Sequence, residues 1–293
     1  MRVVSLLPSA TEIVYALGLG ENLVGVSFEC DEPTSARTDK TVVVGGKDTH
    51  GMSPGDIDVY VRAQLAAGHD LYTLHADALS ALAPDVILTQ NLCQVCALPS
   101  GQVEEALDYL GCHADVVSLD PHSLDEVLDS ILTLGFRTDS TRQAQLLVNE
   151  LRCRLDAVAE LVASQPKPRV AVVEWTDPPF TAGHWVPDLV TAAGGIAVSG
   201  HPGQRSVQST WESIATTAPD IVLVAPCGFH LSGAIDQARA VAPRFPDSQV
   251  WAIDADGLVV RPGPRLVDGV AAIASVLHPD AVAPRPDAVQ RVD

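Results

Sequence analysis

The stretch from Asp139 to Gln165, DSTRQAQLLVNELRCRLDAVAELVASQ, decides how the rest of the chain is read. Leu146, Leu147, Leu151, Leu155, Val158, Leu161 and Val162 recur at steps of three and four residues, and neither glycine nor proline interrupts them. That is the pattern of one long amphipathic helix. At 1.5 Å per residue, a helix of about 25 residues spans roughly 38 Å. It lies mid-chain with an α/β region on each side, so it reads either as a rigid strut between two lobes or as a long surface helix within one domain.

Outward from this segment, short β-branched runs alternate with amphipathic ones: Val3 to Leu7, Leu23 to Ser27, Thr41 to Val44, Asp85 to Thr89 and Ala114 to Leu119 before it, then Arg169 to Trp175, Asp220 to Ala225 and Gln249 to Ile253 after it. Such alternation predicts an α/β fold with largely parallel sheets. Helix starts are marked by Ser9, Ser123 and Ser209, each three residues before a glutamate (Glu12, Glu126, Glu212), the spacing of a capping box. Ser53-Pro54 marks another. The two halves echo one another. Ala83-Pro84-Asp85-Val86-Ile87-Leu88 recurs as Ala218-Pro219-Asp220-Ile221-Val222-Leu223, and Arg2-Val3-Val4 and Arg169-Val170-Ala171-Val172 each open a half. The expected division is therefore an amino-terminal α/β lobe over 1–137, a bridging helix over 138–166 and a carboxyl-terminal α/β lobe over 167–293, with a cleft lined by loops at the carboxyl ends of the strands.

Composition narrows the function classes. Among 293 residues, 18 Lys and Arg stand against 37 Asp and Glu, a formal charge of −19. That balance repels phosphate backbones and anionic lipid, which argues against nucleic-acid and membrane-surface roles. No apolar run approaches the roughly 18 to 20 residues of a membrane span, so no membrane insertion is expected. Arg2 leads straight into a strand-like run, so no secretory leader is read and the expected location is cytoplasmic; a periplasmic or extracellular one would need a leader upstream of Met1. The 6 cysteines are too sparse for a disulfide scaffold and fit free thiols in a reducing compartment.

Read in order, Ser5-Leu6-Leu7-Pro8-Ser9-Ala10-Thr11-Glu12, Leu23-Val24-Gly25-Val26-Ser27, Asp31-Glu32-Pro33, Ala83-Pro84-Asp85-Val86-Ile87, Asp177-Pro178-Pro179-Phe180-Thr181-Ala182-Gly183 and Gly263-Pro264-Arg265 resemble the cobalamin-binding, iron-complex-type substrate-binding proteins of ABC importers. The similarity extends over nearly the whole chain. It implies a class III, helical-backbone metal-receptor architecture: two α/β lobes bridged by one long helix, with a bulky metal chelate held in the cleft. It also implies docking to a permease through one glutamate on each lobe. Glu212 matches the second of these, whereas no acid stands near Ser100 to Gln102 at the first. An ABC permease is therefore a doubtful partner. Ser53 to Asp77 is longer than the corresponding importer loop, and the chain looks closer to a leaderless cytoplasmic branch of the family.

Several residue types at the expected cleft carry chemistry. Cys30, Cys93, Cys96 and Cys227 fall on loops that follow strands, and Cys93-Gln94-Val95-Cys96 has the spacing that lets two sulfurs reach one metal. Zinc, an iron–sulfur cluster or the metal of a chelate are the candidates for such thiolates; a redox dithiol and buried cysteines without a ligand are the alternatives. His184 in Gly183-His184-Trp185 could add a nitrogen ligand. The chain has only 4 Trp, 4 Tyr and 5 Phe, and Phe28, Trp175, Phe180, Trp185 and Phe229 all lie in or beside loops after strands. Flat rings there suit a corrin or porphyrin face. Ser9, Glu29, Asp31, Glu174 and Asp177 are further candidates, either for polar side groups of such a ligand or for turn and cap chemistry. No phosphate-binding loop, GxSxG elbow, HExxH or dinucleotide GxGxxG occurs. The leading expectation is a non-catalytic protein that binds cobalamin or another corrinoid; the rival is a metal-dependent enzyme or metallochaperone using the cysteines.

Overall fold

The computed structural model describes residues 1–49, 51–92, 99–110 and 113–292. The chain divides into two compact units, Met1–Pro121 with Leu128–Val148, and His122–Val127 with the residues from Asn149 onward.

The first unit runs β1 (Val3–Ser5), α1 (Pro8–Ala16), β2 (Leu23–Ser27), α2 (Thr34–Asp39), β3 (Thr41–Gly46), α3 (Pro54–Ala66), β4 (Tyr72–Leu74), α4 (Ala76–Leu82), β5 (Val86–Thr89), α5 (Ser100–Leu110) and β6 (Asp115–Ser118). Its sheet has the order β4-β3-β2-β1-β5-β6. All pairs are parallel except β3 with β4. β1 is central: Val4 faces Gly25 on one side and Ile87 on the other, and all three β1 residues are buried. A strand covered on both faces reads as a continuous apolar run, which is why Val3-Val4 and Val86-Ile87-Leu88 were legible.

Two helices, α6 (Leu124–Arg137) and α7 (Thr141–Val162), carry the chain onward. Of the three changeovers between units, the one after Pro121 precedes α6 and those after Val127 and Val148 fall inside α6 and α7, where the sequence places the boundaries at 137 and 167. α7 is 22 residues long and starts after Asp139, whose φ is +55°. Its buried stripe is Ala144, Val148, Leu151, Val158 and Val162. Leu146 and Leu161, expected on that stripe, lie outside it at 61% and 51% exposure.

The second unit runs β7 (Arg169–Thr176), β8 (Pro179–Thr181), α8 (Val186–Ala192), β9 (Ile196–Ala197), β10 (Val207–Gln208), α9 (Trp211–Thr216), β11 (Ile221–Val224), α10 (Leu231–Val241), β12 (Gln249–Ile253), α11 (Ala255–Leu258), α12 (Leu266–Leu277) and β13 (Val289–Arg291). The sheet order is β10-β8-β7-β11-β12-β13, with β9 also on β7. The centre is parallel and β8, β10 and β13 are antiparallel additions. Its core packs Ala171, Val173, Val222, Val224, Val250 and Ala252 against Ala234, Ala238 and Val241 of α10. The two-lobed, mainly parallel α/β class expected from sequence is the one observed. Among the described residues no helix is long and apolar enough to cross a membrane.

The capping expectations divide. Ser53 accepts from the Asp56 N–H and starts α3 as read. Ser123 accepts from the Glu126 N–H at 3.2 Å, and the Glu126 carboxylate takes the N–H of His122, one residue further back than a standard box. Ser9 and Ser209 are corrected. Pro8 supplies the first helical position of α1 and leaves Ser9 buried in the first turn, since proline needs no N–H partner there. α9 is capped by the neighbouring hydroxyl, Thr210, which accepts from the Ser213 N–H at 3.1 Å.

The burial pattern of α7 yields a stability test. Leu151→Ala, at 1% exposure, is expected to cost about 2–5 kcal/mol in urea unfolding, whereas Leu146→Ala and Leu161→Ala should each stay within about 0.5 kcal/mol. Equal losses at all three positions would contradict this assignment of the helix faces.

Candidate functional site

In the first unit, the chain leaves β2 through Phe28, Glu29, Cys30 and Asp31. The Phe28 N–H donates to the Val44 carbonyl at 2.9 Å, extending the ladder by one residue. Its ring lies over Gly46, where a Cβ would come within 2.7 Å of it, so glycine is needed on β3 for the ring to lie down. Tyr72 of β4 faces it with ring centroids 6.3 Å apart, and the Tyr72 hydroxyl is 3.3 Å from both Glu29 carboxylate oxygens. Phe28, Glu29, Asp31 and Tyr72 are all half-buried. Together they form a patch with an aromatic floor and an acidic rim.

Cys30 does not join that patch. The Cys30 N–H turns back to the Ser27 carbonyl, and its side chain is fully buried. The Thr11 hydroxyl donates to its sulfur at 3.1 Å, and the thiol lies 3.9 Å from the Ser5 carbonyl. It packs as a small core residue under α1, with Ser9 buried in the same helix at 3% exposure.

Sequence reasoning missed a polar tie at the ends of β5 and β6. The Asp120 carboxylate accepts the backbone N–H groups of Asn91 and Leu92, at 2.5 and 3.1 Å, and the Ser118 hydroxyl. The Asn91 side-chain amide donates to Ser118 and its carbonyl accepts from Ser100 at the start of α5. In sequence, Asn91 and Ser100 stand on either side of the stretch that contains Cys93 and Cys96. Cys93, Cys96 and Cys112 themselves lie outside the described residues. The Asn91–Asp120 separation has no motif spacing by which a sequence could announce it.

In the second unit, Glu174 near the end of β7 organises the strand-end loops. Its carboxylate accepts from the Gly183 N–H at 3.0 Å and from the Ser206 hydroxyl, and its backbone carbonyl takes the N–H of Cys227 at 3.0 Å. Gly183 is required by this closeness, because a Cβ there would meet the Ser206 nitrogen at 2.3 Å. Around that anchor stand the rings. Trp175 and Phe229 have centroids 5.9 Å apart at a tilt of 56°. Phe180 is the cross-strand partner of Trp175 on β8. The Trp175 indole N–H is used on the Asp177 carbonyl at 3.0 Å, which fixes the ring over the turn. All three rings are half-buried, while Asp177 and Cys227 are exposed.

The loop bearing Phe229 is held from below. The Gly228 N–H donates to Asp256 at 2.9 Å, and Asp256 is paired with Arg261 at 2.9 Å, both side chains nearly buried. His230 lies 3.2 Å from Asp254, which also caps α11 through the Gly257 N–H. Trp185 proves to be structural: it is 6% exposed and its N–H donates to the Val259 carbonyl at 2.8 Å.

His184 has an unusual environment. Its φ is +49°, its ring stacks on Trp185 with centroids 5.6 Å apart, and His122 lies 5.8 Å away. Its Nε2 is buried without a hydrogen-bond partner among the described residues. Burial first, then the nearby His122 and Arg205, hold its pKa below the ordinary histidine value. Glu212 is exposed in the first turn of α9, where its own N–H, the Thr210 hydroxyl and Arg244 keep its carboxyl below the ordinary range. The structure thus brings Phe28, Glu29 and Asp31 together in one unit and Trp175, Asp177, Phe180 and Phe229 in the other. Ser9, Cys30 and Trp185 are buried apart from those patches.

A family model described as periplasmic binding protein matches residues 3–250. The vitamin B12-binding protein of Vibrio cholerae serotype O1 is 25% identical over 279 residues, covering 94% of this chain and 88% of that protein. The uncharacterized ABC transporter substrate-binding lipoprotein YvrC of Bacillus subtilis is 28% identical over 293 residues, covering 95% of this chain and 80% of that protein. The crystal structure of a periplasmic heme-binding protein from Pseudomonas aeruginosa matches the fold with a TM-score of 0.72 at 23% identity, covering 99% of this chain and 97% of that one.

The lowered pKa of His184 sets a pH dependence. Unfolded, the ring takes a proton near pH 6.5; folded, it does so only at lower pH. The unfolded chain binds the extra proton in between, so stability falls as pH drops below about 6.5. His184→Gln is expected to flatten the fall in urea midpoint between about pH 7 and pH 5 relative to the parent chain; an unchanged slope would remove His184 from the account.

Proposed function

Because the chain belongs to the periplasmic binding protein family, we propose that it is a non-catalytic receptor for a corrinoid, cobalamin or a close relative. The observation that carries this reading is the placement of half-buried rings at the carboxyl ends of parallel strands in each unit, Phe28 with Tyr72 and Trp175 with Phe180 and Phe229. A corrin presents a broad apolar face and a rim of amides. Rings match the face by dispersion and water exclusion, and the Glu29, Asp31 and Asp177 carboxylates match the amide N–H donors. The similarity to a vitamin B12-binding protein over 94% of this chain supports the same ligand class.

His184, stacked on Trp185 and beside His122, enters this proposal as a support of the loop after β8 rather than as a contact to the ligand. Neither zinc nor an iron–sulfur cluster is part of it, since the Cys30 thiol is spent inside the core and Cys227 stands exposed without a second described cysteine in its unit's loops. No reaction is assigned. Relatives with this fold are named as periplasmic proteins or as a lipoprotein of ABC transporters, and the cytoplasmic location expected from Arg2 gains no support from them. Substrate-binding proteins of this kind work with ABC permeases, and Glu212, exposed on α9, is the residue proposed to make that contact.

Isothermal titration of the purified chain with cyanocobalamin tests the reading. One-to-one binding with Kd below about 1 μM is expected, weakened about tenfold or more by Trp175→Ala or Phe229→Ala, because ring–ligand stacking contributes on the order of 1–2 kcal/mol each. Absence of binding to cyanocobalamin would overturn the corrinoid assignment, and tight binding of hemin instead would move it to a porphyrin.

A further inference from the structure

Two histidines of the second unit, His122 ahead of α6 and His184 after β8, meet with ring centroids 5.8 Å apart. The two rings are prepared differently. His122 is exposed, and its Nδ1 lies 3.2 Å from the Gly203 carbonyl. A carbonyl oxygen only accepts, so Nδ1 carries the proton and the lone pair falls on Nε2. A backbone carbonyl orients metal-ligating histidines in this way. His184 is half-buried, and its Nε2 is enclosed with no hydrogen-bond partner among the described residues. A buried polar atom left unpaired marks a place where an ion or a water belongs. The His184 backbone, at φ +49°, donates its N–H to the Gln204 carbonyl at 2.6 Å and takes the Gly203 N–H on its own carbonyl at 3.0 Å. The turn at 203–204 therefore fixes both the His122 ring and the His184 main chain.

The separation of the rings suits one shared ion. An imidazole nitrogen binds a late first-row cation at about 2.0–2.1 Å, which sets the ring centre about 3.2 Å from it. Two rings on one ion then have centres at most roughly 6.4 Å apart, and about 5.2 Å apart at a tetrahedral angle. The observed 5.8 Å falls between these values, and a small swing of the exposed His122 side chain spans the difference. The charge nearby also favours a cation. Glu126 accepts the His122 N–H at 2.6 Å, Asp188 accepts the Leu124 N–H at 3.0 Å and Glu174 accepts the Gly183 N–H at 3.0 Å, so acids flank the segments that carry both rings. A backbone N–H leaves a carboxylate its full charge, and these three stand against the exposed Arg205 near His184. Among the described residues no third His, Cys, Asp or Glu atom joins the pair within 4.8 Å, which leaves the other coordination positions to water. Imidazole with water suits nickel, copper or zinc, whereas calcium and magnesium take oxygen ligands.

We infer that His122 and His184 form a binding site for a late first-row divalent cation, distinct from the ring patches proposed to hold the corrinoid. The probe is nickel(II) chloride, added to the reduced chain without a histidine tag and followed by equilibrium dialysis and by absorption. One nickel per chain in the micromolar range is expected, with no thiolate-to-nickel charge-transfer band, since such a band would report the cysteines instead. His122→Ala and His184→Gln should each weaken nickel binding by about tenfold or more. Should His184→Gln unfold, His122→Ala, at an exposed position, carries the test. His69→Ala, exposed in the first unit, should leave nickel affinity unchanged. Nickel binding is read with no cyanocobalamin present, so a failed corrinoid titration and a failed nickel titration are separate results. No bound nickel, nickel bound only through thiolates, or equal affinity in the parent chain and in His122→Ala would each overturn the inference.

Discussion

The parallel pairing of buried central strands is the constraint on which the remainder of each unit depends. β1 is hydrogen-bonded on both sides to parallel neighbours, and β7 takes β11 and β9 in the same sense. Parallel strands need crossover connections, so helices cover the faces and every parallel strand exposes its carboxyl end to a loop on the same rim. Chemistry that belongs to a ligand therefore collects at one rim of each sheet. Phe28 to Asp31, Asn91 and Asp120 follow β2, β5 and β6 in the first unit; in the second, Trp175 stands at the end of β7 with Asp177 after it, and Cys227 to His230 follow β11.

A rim of loops is only useful for binding if the loops are held, and the two units solve that with single carboxylates. Asp120 takes two backbone N–H groups and a hydroxyl in the first; Glu174 takes a backbone N–H and a hydroxyl in the second, while its own carbonyl receives the Cys227 N–H. Hydrogen bonds to a charged acceptor are stronger than neutral ones, and each of these ties together segments distant in sequence. The second unit's rings, Trp175, Phe180 and Phe229, adjoin residues fixed in this way, whereas Phe28 in the first unit is held by its N–H on the Val44 carbonyl. Their order before ligand arrives reduces the cost of ordering them on binding.

Much of this was legible in the residues and some was not, for identifiable reasons. The central strands were visible because burial on both faces demands unbroken apolar runs such as Val86-Ile87-Leu88, whereas β9 and β10, two residues each, and β13 carry no run or alternation to read. Leucines at 146 and 161 fit a three-or-four-residue step from several starting points, so spacing alone could not tell the packed stripe of α7 from the row beside it. Adjacent hydroxyls at Ser209 and Thr210 offered two caps for one helix, and the backbone chose the second. Cys30 and Trp185 were misplaced because a loop position was taken as exposure: a tight turn drives the thiol under α1, and the indole N–H finds a partner at Val259 inside the unit. The aromatic positions 28, 175, 180 and 229 were singled out by their place at strand ends, and the structure puts half-buried rings there. Tyr72 was missed because it enters from an antiparallel edge strand that the sequence does not announce.

The central claim is that a corrinoid is held by the ring-bearing loops at the strand carboxyl ends. Hydrogen exchange followed by mass spectrometry, with and without saturating cyanocobalamin, tests it most directly. The account predicts slowed exchange at 28–31, 175–183 and 227–230, with the amino-end segments 166–168 and 249–251 unchanged. Protection concentrated at 166–168 and 249–251, or on the exposed α3 at 54–66, with the ring-bearing loops unaffected, would contradict it.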